Sequence, residues 1–403
     1  MKRSGSADLP LHYGHVPPWL AERMSKLGLA IVESIALEFS AAEVVSKLSN
    51  PFWFQSLGAV MGMDWHSSGI TTSVMGALKK AINPHSRELG IYICGGKGKH
   101  SLQTPNELLR VGERTGLNGS NLGKFSRLTA KVDNTAIQDG FQLYLHSFIV
   151  SSSGEWAVIQ QGMNPNSKTA RRYHWHSENL QSFVDAPHTF IYGQNQGKIL
   201  DLTNTNALST RNHTLQIAND NPDRIIKEFR HLSMPAHHDV RITDVNLKRL
   251  GAMLWLTHEN QPADFEDLLL LKGVGPRALQ SLALVSEVIY GTPSRFEDPA
   301  RFSFAHGGKD GHPFPVPTKI YDETISTLQK AIQKSKIGNS DKLQAIKKLS
   351  EISRLAEKDF TANTNLDAVI QKERAESYKY GGKTVFGDAK PPKGIDGDQL
   401  KLF

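Results

Sequence analysis

The 403-residue chain is 39% hydrophobic and 22% charged, ordinary for water-soluble globular domains and long enough to build two or three of them. A formal net charge of +7 and a pI near 9.2 fit a polyanionic partner. The single cysteine, Cys94, excludes a disulfide framework and a thiolate zinc site, and with no apolar signal core or membrane-length run the expected compartment is a reducing cytoplasm.

Residues 1 to about 85 read as helices joined by short loops, with apolar positions at helical spacing over 19–39, 41–48 and 71–82. A β-rich run at 89–94 ends in Gly95-Gly96-Lys97-Gly98-Lys99, where Lys97 and Lys99 are candidates for touching DNA phosphates. The spacing of a Walker phosphate loop is absent there, and a plain basic turn is the alternative. Helical patterns return at 105–114 and 122–132. The character then changes: residues 142–150 and 156–161 read as paired strands around Ser151-Ser152-Ser153-Gly154, with a third strand at His174-Trp175 and a fourth over 189–192. From about 220 to 375 the patterns are helical again. The expected class is α+β: an N-terminal mixed α/β domain with a small sheet over 1–200, an all-helical domain over 220–375, and a flexible tail over 376–403.

Polar side chains concentrate in the first of these domains. Asp64 and His66 lie just before a helix that Ser67 or Ser68 can cap. Asp139 opens the strand carrying His146, and Gln160 and Gln161 close the next. Arg171, Arg172, His174 and His176 follow on the third strand. Side chains alternate along a strand, so Arg172, His174 and His176 share one face while Arg171 takes the other. Two imidazoles and a guanidinium on one face can bind phosphate, move protons or hold a metal. His146 and a glutamine can join them only if the unread register allows. In the functional reading Asp139 and His146 bind a divalent metal, Mg or Mn, or activate water. His174 or His176 then transfers a proton, and Arg171 or Arg172 neutralises phosphate. In the bland reading the same residues are helix caps and backbone-bonded strand positions.

Downstream, Lys272-Gly273-Val274-Gly275-Pro276-Arg277 sits between two apolar helical runs within 263–291. Pro276 suits the first turn of the second helix. The two glycines allow a tight bend that leaves amide groups uncovered at a helix N-terminus, a geometry that receives phosphate. The segment resembles a helix-hairpin-helix, with Lys272, Gly273, Gly275 and Arg277 as the DNA-contacting set. Such a grip holds the backbone without specifying a base. A tight helix–helix turn is the alternative. Lys309, in the glycine-rich run 305–311, is a further candidate for backbone contact.

Four strings occur in order: Leu9-Pro-Leu-His12-Tyr-Gly14, Asp64-Trp-His66-Ser-Ser-Gly69, Gln160-Gln-Gly-Met163 and Ser303-Phe-Ala-His306-Gly-Gly-Lys309-Asp-Gly311. Together they resemble the domain of unknown function 763 family of bacteria and archaea over about residues 5–335. The resemblance implies little biochemistry beyond a suspicion of DNA-repair nuclease activity. The base-excision glycosylases also use a helix-hairpin-helix. Here, however, Arg277 stands where a catalytic lysine would, and a guanidinium forms no Schiff base readily. Asp298 falls too far along for the alternative aspartate.

Gln399-Leu400-Lys401-Leu402-Phe403, after the Pro-, Gly- and Asp-rich stretch 390–398, resembles the peptide by which bacterial repair and replication proteins dock on the sliding clamp. Within the docking set Gln399, Leu400, Leu402 and Phe403, Leu402 and Phe403 would fill an apolar pocket and Gln399 would supply a directional hydrogen bond. A terminal strand covering the protein's own core is the alternative. The expected function is a DNA nuclease of repair or replication recruited to the clamp. A non-catalytic DNA-structure sensor, a glycosylase-type enzyme and an RNA-directed enzyme are the alternatives.

Overall fold

The computed structural model describes residues 16–63, 68–167, 169–178, 180–193, 195–231, 247–300 and 318–357, together with short strands at 9–10, 383–384 and 387–388. In chain order these form β1 (Leu9–Pro10), α1 (Pro18–Glu38), α2 (Ala41–Ser49), α3 (Pro51–Val60), α4 (Gly69–Ile82), α5 (Ser86–Leu89), β2 (Ile91–Lys97), α6 (Thr104–Thr115), α7 (Gly119–Lys131) and β3 (Ile137–Gln138). Then come β4 (Gln142–Ser151), β5 (Trp156–Asn164), β6 (Thr169–His176), β7 (Phe190–Tyr192), β8 (Lys198–Asp201), α8 (Leu208–Asn219), α9 (Pro222–His231), α10 (Leu247–Asn260), α11 (Phe265–Leu270) and α12 (Pro276–Tyr290). β9 (Arg295–Glu297), α13 (Thr318–Lys334), α14 (Asn339–Glu357), β10 (Lys383–Thr384) and β11 (Gly387–Asp388) complete the set.

Local chemistry fixes several boundaries. Ser40 caps α2 by accepting from Glu43 N–H at 3.1 Å, and Asn50 caps α3 through Phe52 and Trp53 N–H with Pro51 in the first turn. All ten residues of α3 are buried. It carries no polar stripe, so helical periodicity does not reveal it. Gly95 ends the regular part of β2 at φ +85°, where a Cβ would stand 2.2 Å from the His146 carbonyl oxygen.

The central sheet is antiparallel, ordered β1-β6-β5-β4-β2, with β7 also on β6. Register pairs His146 with Gln160, and Gln161 with Arg172. Helices cover both faces. On one, Ile93, Ile149 and Ile159 pack with α1 to α4 and with Leu328, Ile332 and Leu349 of α13 and α14. On the other, Phe148, Val158 and Trp175 pack with α6 and α7 and, in the same continuous cluster, with Leu268, Val274, Leu279 and Leu282 around the α11–α12 turn. Each face therefore has its own apolar core.

The class is α+β, as the patterns predict. The region expected to be all-helical differs in one respect: it contains β9, which pairs with β8 in a second sheet ordered β3-β8-β9. Three residues are too few to show an alternating pattern. The tail carries a small hairpin, β10 against β11. No helix among the described residues is long and apolar enough to cross a membrane.

Candidate functional site

The alternation along β4, β5 and β6 sorts the polar residues onto two surfaces. Gln161, Arg172, His174 and His176 face α2 to α4. His146, Gln160, Arg171 and Tyr173 face the other way, as their partners show. The expected joint site of Asp139 and His146 with His174 or His176 is therefore divided by the sheet itself. One reacting group cannot meet both sets, because a strand places successive side chains on opposite sides.

Arg171 is fully buried between two carboxylates. Its Nη1 donates to Asp139 Oδ2 at 2.9 Å and to Asp298 Oδ1 at 3.1 Å, and its Nη2 donates to Asp298 Oδ2 at 2.8 Å. Asp139 also accepts from Tyr173 O–H at 2.6 Å and from Phe141 N–H at 3.0 Å. Asp298 accepts from Gln196 and Ala300 N–H, both at 2.9 Å. Burial alone would lower Arg171, but Asp139 and Asp298 outweigh it and hold the guanidinium charged. Burial raises Asp139, with Arg171 opposing it. The triad ties β6 to the start of β4 and to the end of β9. Its oxygens are occupied by donors from the chain, so Asp139 and Arg171 serve here as structural ion partners.

Arg172 has the opposite setting. Its guanidinium lies over the rings of Phe54 (4.8 Å) and Tyr192 (5.1 Å). Nε donates to His174 Nε2 at 2.8 Å, and Nη1 to Gln55 Oε1 at 2.9 Å and Thr71 Oγ1 at 3.3 Å. Accepting from Arg172 leaves His174 protonated on Nδ1, which turns toward the Ser49 carbonyl without a well-formed bond. Among the described residues no carboxylate pairs with Arg172, and its Nη2 and Gln161 Oε1 have no partner. Burial pushes Arg172 down to about 10 and His174 well below the usual imidazole range. Gln161 donates to the Ser68 carbonyl at 3.2 Å, which brings this chamber to the start of α4.

On the other face a hydrogen-bonded chain runs from His146 outward. Gln160 spends its amide N–H groups on the Thr129 carbonyl (3.1 Å) and on Asp133 Oδ2 (2.5 Å), so its Oε1 accepts from His146 Nδ1 at 2.7 Å. His146 Nε2 then accepts from Ser126 O–H at 2.8 Å. Burial pushes His146 down to about 4, so it is neutral. Asp133, in a π-helical turn over 132–136, also receives Trp175 Nε1–H at 3.0 Å and His188 Nε2 at 2.5 Å. Burial raises its carboxyl, against these donors.

The hydrogen-bonded chain ends at His188, whose side chain is 7% exposed and lines a cleft of about 550 Å³. The volume falls in the range of small-ligand sites. The cleft lies between α2, the end of β6, the loop 180–189 and α13, and His176 stands on its wall with Nε2 unpartnered among the described residues. Reasoning from sequence misses His188 and Asp133. No local sequence pattern points to them; the structure shows Ala186, two residues before His188, at φ +43° immediately before Pro187, a costly backbone that persists where the surroundings demand it.

The α11–α12 turn is open. Gly273 takes φ +102°, Gly275 is the N-cap of the 15-residue α12, and Pro276 occupies its first turn. Val274 is buried, while Lys272, Gly273 and Arg277 are exposed. Lys131 Nζ donates to the Val274 carbonyl at 2.6 Å, and burial shifts its ammonium pKa downward. Lys97 and Lys99 are exposed at the end of β2, with Lys97 over the Tyr144 ring at 5.9 Å. Asp64, His66, Lys309, Gln399, Leu400, Leu402 and Phe403 lie outside the described residues. Among those described, no three His, Cys, Asp or Glu side chains are gathered as a metal ion requires.

A family model described as "Protein of unknown function (DUF763)" matches residues 5–316. No curated protein and no solved structure matches the chain.

Proposed function

The chain belongs to the DUF763 family, and from that premise we propose that it is a DNA-binding protein of repair or replication that grips the sugar-phosphate strand through the α11–α12 turn. The observation carrying this reading is the exposed, basic character of the bend. Lys272, Gly273 and Arg277 stand open to solvent, and Gly275 and Pro276 start a 15-residue helix whose N-terminus carries the positive end of its dipole. Backbone amides, one lysine and one arginine suit a phosphate and make no demand on base identity. The tail peptide Gln399 to Phe403 recruits the protein to the sliding clamp. Phosphodiester hydrolysis of damaged or branched strands is the proposed activity.

A second reading, a non-catalytic sensor of DNA structure, is favoured by the closure of Asp139 and Arg171 into an ion triad with Asp298. Labelled single-stranded, nicked and lesion-bearing DNA, and matched RNA, separate the two when incubated with the full chain with and without Mg or Mn. Cleaved product supports the enzyme. Tight binding without product on every substrate supports the sensor.

A further inference from the structure

His188 is held in place from several sides. Its Nε2 is committed to a carboxylate that is itself fixed by Trp175 and Gln160, and Nδ1 has no hydrogen-bond partner among the described residues. The ring is held against Trp175 at 4.3 Å between centroids. Backbone bonds anchor both sides: Ala186 N–H to the Thr203 carbonyl at 2.7 Å, and Thr189 N–H to the His174 carbonyl at 3.0 Å. Two local costs converge on this one imidazole. One is the left-handed Ala186 before Pro187. The other is Asp201, a nearby buried carboxyl pushed up to about 6 by burial, whose Oδ2 has no partner among the described residues. A carboxylate that orients a histidine lining a cleft is the arrangement acid–base chemistry uses.

The cleft's charge narrows the ligand. Glu43, Glu178, Asp185 and Glu323 line it against a single lysine, Lys47. Lys47 pairs with Glu43 at 2.9 Å, Asp185 with Arg211 at 3.1 Å, and Glu178 lies 3.6 Å from His176 Nδ1, so the lining residues themselves present four carboxylates to one lysine. A phosphate is disfavoured there, whereas an uncharged group rich in donors finds carboxylates to accept from it. Trp53, on the same wall, holds a buried Nε1–H with no partner among the described residues, and His176 Nε2 adds a second unmatched nitrogen.

We propose that this cleft is an acid–base site in which His188, oriented by Asp133, moves a proton at Nδ1, and that it takes an uncharged nucleoside-sized group, a base with its sugar, rather than a phosphate. The ligand class rests on the nucleic-acid reading above, while the histidine geometry stands without it. The α11–α12 grip and the cleft are physically joined, since the loop lining the cleft bonds to α11 through Phe183 N–H and Glu266 Oε1 at 3.3 Å.

The test is a titration of the full-length protein, with histidine rings labelled in 15N and 13C, using free 2′-deoxynucleosides and their 5′-monophosphates. The His188 ring signals shift on nucleoside addition, and monophosphates bind about tenfold more weakly because the wall repels them. Asp133→Asn moves the proton from Nε2 to Nδ1 and weakens binding several-fold. Should that buried change unfold the protein, Glu178→Gln on the exposed rim narrows the gap between nucleoside and monophosphate instead. The double variant Lys272→Ala/Arg277→Ala, which disables the grip, leaves the nucleoside shifts unchanged, so failure of one reading is distinguishable from failure of the other. No His188 shift with any nucleoside, or monophosphates binding as tightly as nucleosides, overturns the proposal.

Discussion

Replacing Arg171 by methionine removes the charge between Asp139 and Asp298 while keeping most of the side-chain volume. Three guanidinium–carboxylate hydrogen bonds disappear, at 2.9, 3.1 and 2.8 Å, and two fully buried carboxylates are left facing each other. Breaking a buried pair from one side costs about 3–5 kcal/mol. The cost depends on pH in a definite direction. Burial already raises Asp139 above its ordinary 3.8, and without Arg171 nothing cationic opposes that. A carboxyl whose folded-state affinity for protons exceeds its unfolded one weakens folding as pH rises through the folded value, and the loss fades in acid. Arg171→Met is therefore most damaging near pH 8 and least near pH 5. Arg172→Met supplies the contrast. It removes the hydrogen bonds to Gln55, Thr71 and His174, worth about 1–3 kcal/mol, with little change across the same pH range. Urea denaturation followed by tryptophan fluorescence at pH 5 and pH 8 reads both variants. A loss below about 1 kcal/mol for Arg171→Met at pH 8, or an equal loss at both pH values, would refute the reasoning.

Three further outcomes follow from burial and from the tail. Cys94 is buried and its thiol is pushed up to about 12, so iodoacetamide labels it only as fast as the protein unfolds; rapid native-state labelling contradicts the packing of β2. His146 is pushed down to about 4, so protonation opposes folding and stability falls as pH drops from about 6.5 toward 4, by about 3 kcal/mol. His146→Gln flattens that limb in pH-dependent denaturation, and an unchanged slope would count against its neutrality. Deleting Gln399 to Phe403 abolishes retention of the protein on immobilised sliding clamp and leaves DNA affinity intact; retention of the truncated chain ends the docking claim.

Sequence patterns made part of this molecule legible. The β4–β5 hairpin follows from alternating apolar residues on either side of a Ser-Gly turn, and α12 from its apolar spacing and its Gly-Pro start. The shared face of Arg172 and His174 follows from period-two alternation, and the 2.8 Å bond between them agrees. The wholly buried α3 was not legible, because a helix packed on every side has no amphipathic stripe. Register was not legible either, and it decides that His146 meets Gln160 on one face while Gln161 meets Arg172 on the other. Two buried partners lie far along the chain: Asp298 beside Arg171, and Asp133 beside His188. No local pattern announces a bond across 127 or 55 residues. The density of charged and amide residues in β4 to β6 suggested one site. In the folded chain much of that density forms ion pairs and hydrogen bonds that close the sheet against its helices.

The grip at the α11–α12 turn is tested most directly by the salt dependence of DNA binding. Fluorescence anisotropy with a short duplex, repeated across salt concentrations, gives the slope of log K against log salt for the full-length protein and for Lys272→Ala and Arg277→Ala. Each substitution is expected to weaken binding to all sequences alike and to lower the slope by about 1, as follows when one phosphate is no longer neutralised. Wild-type affinity and slope in both variants would contradict the assignment of this turn to the nucleic-acid backbone.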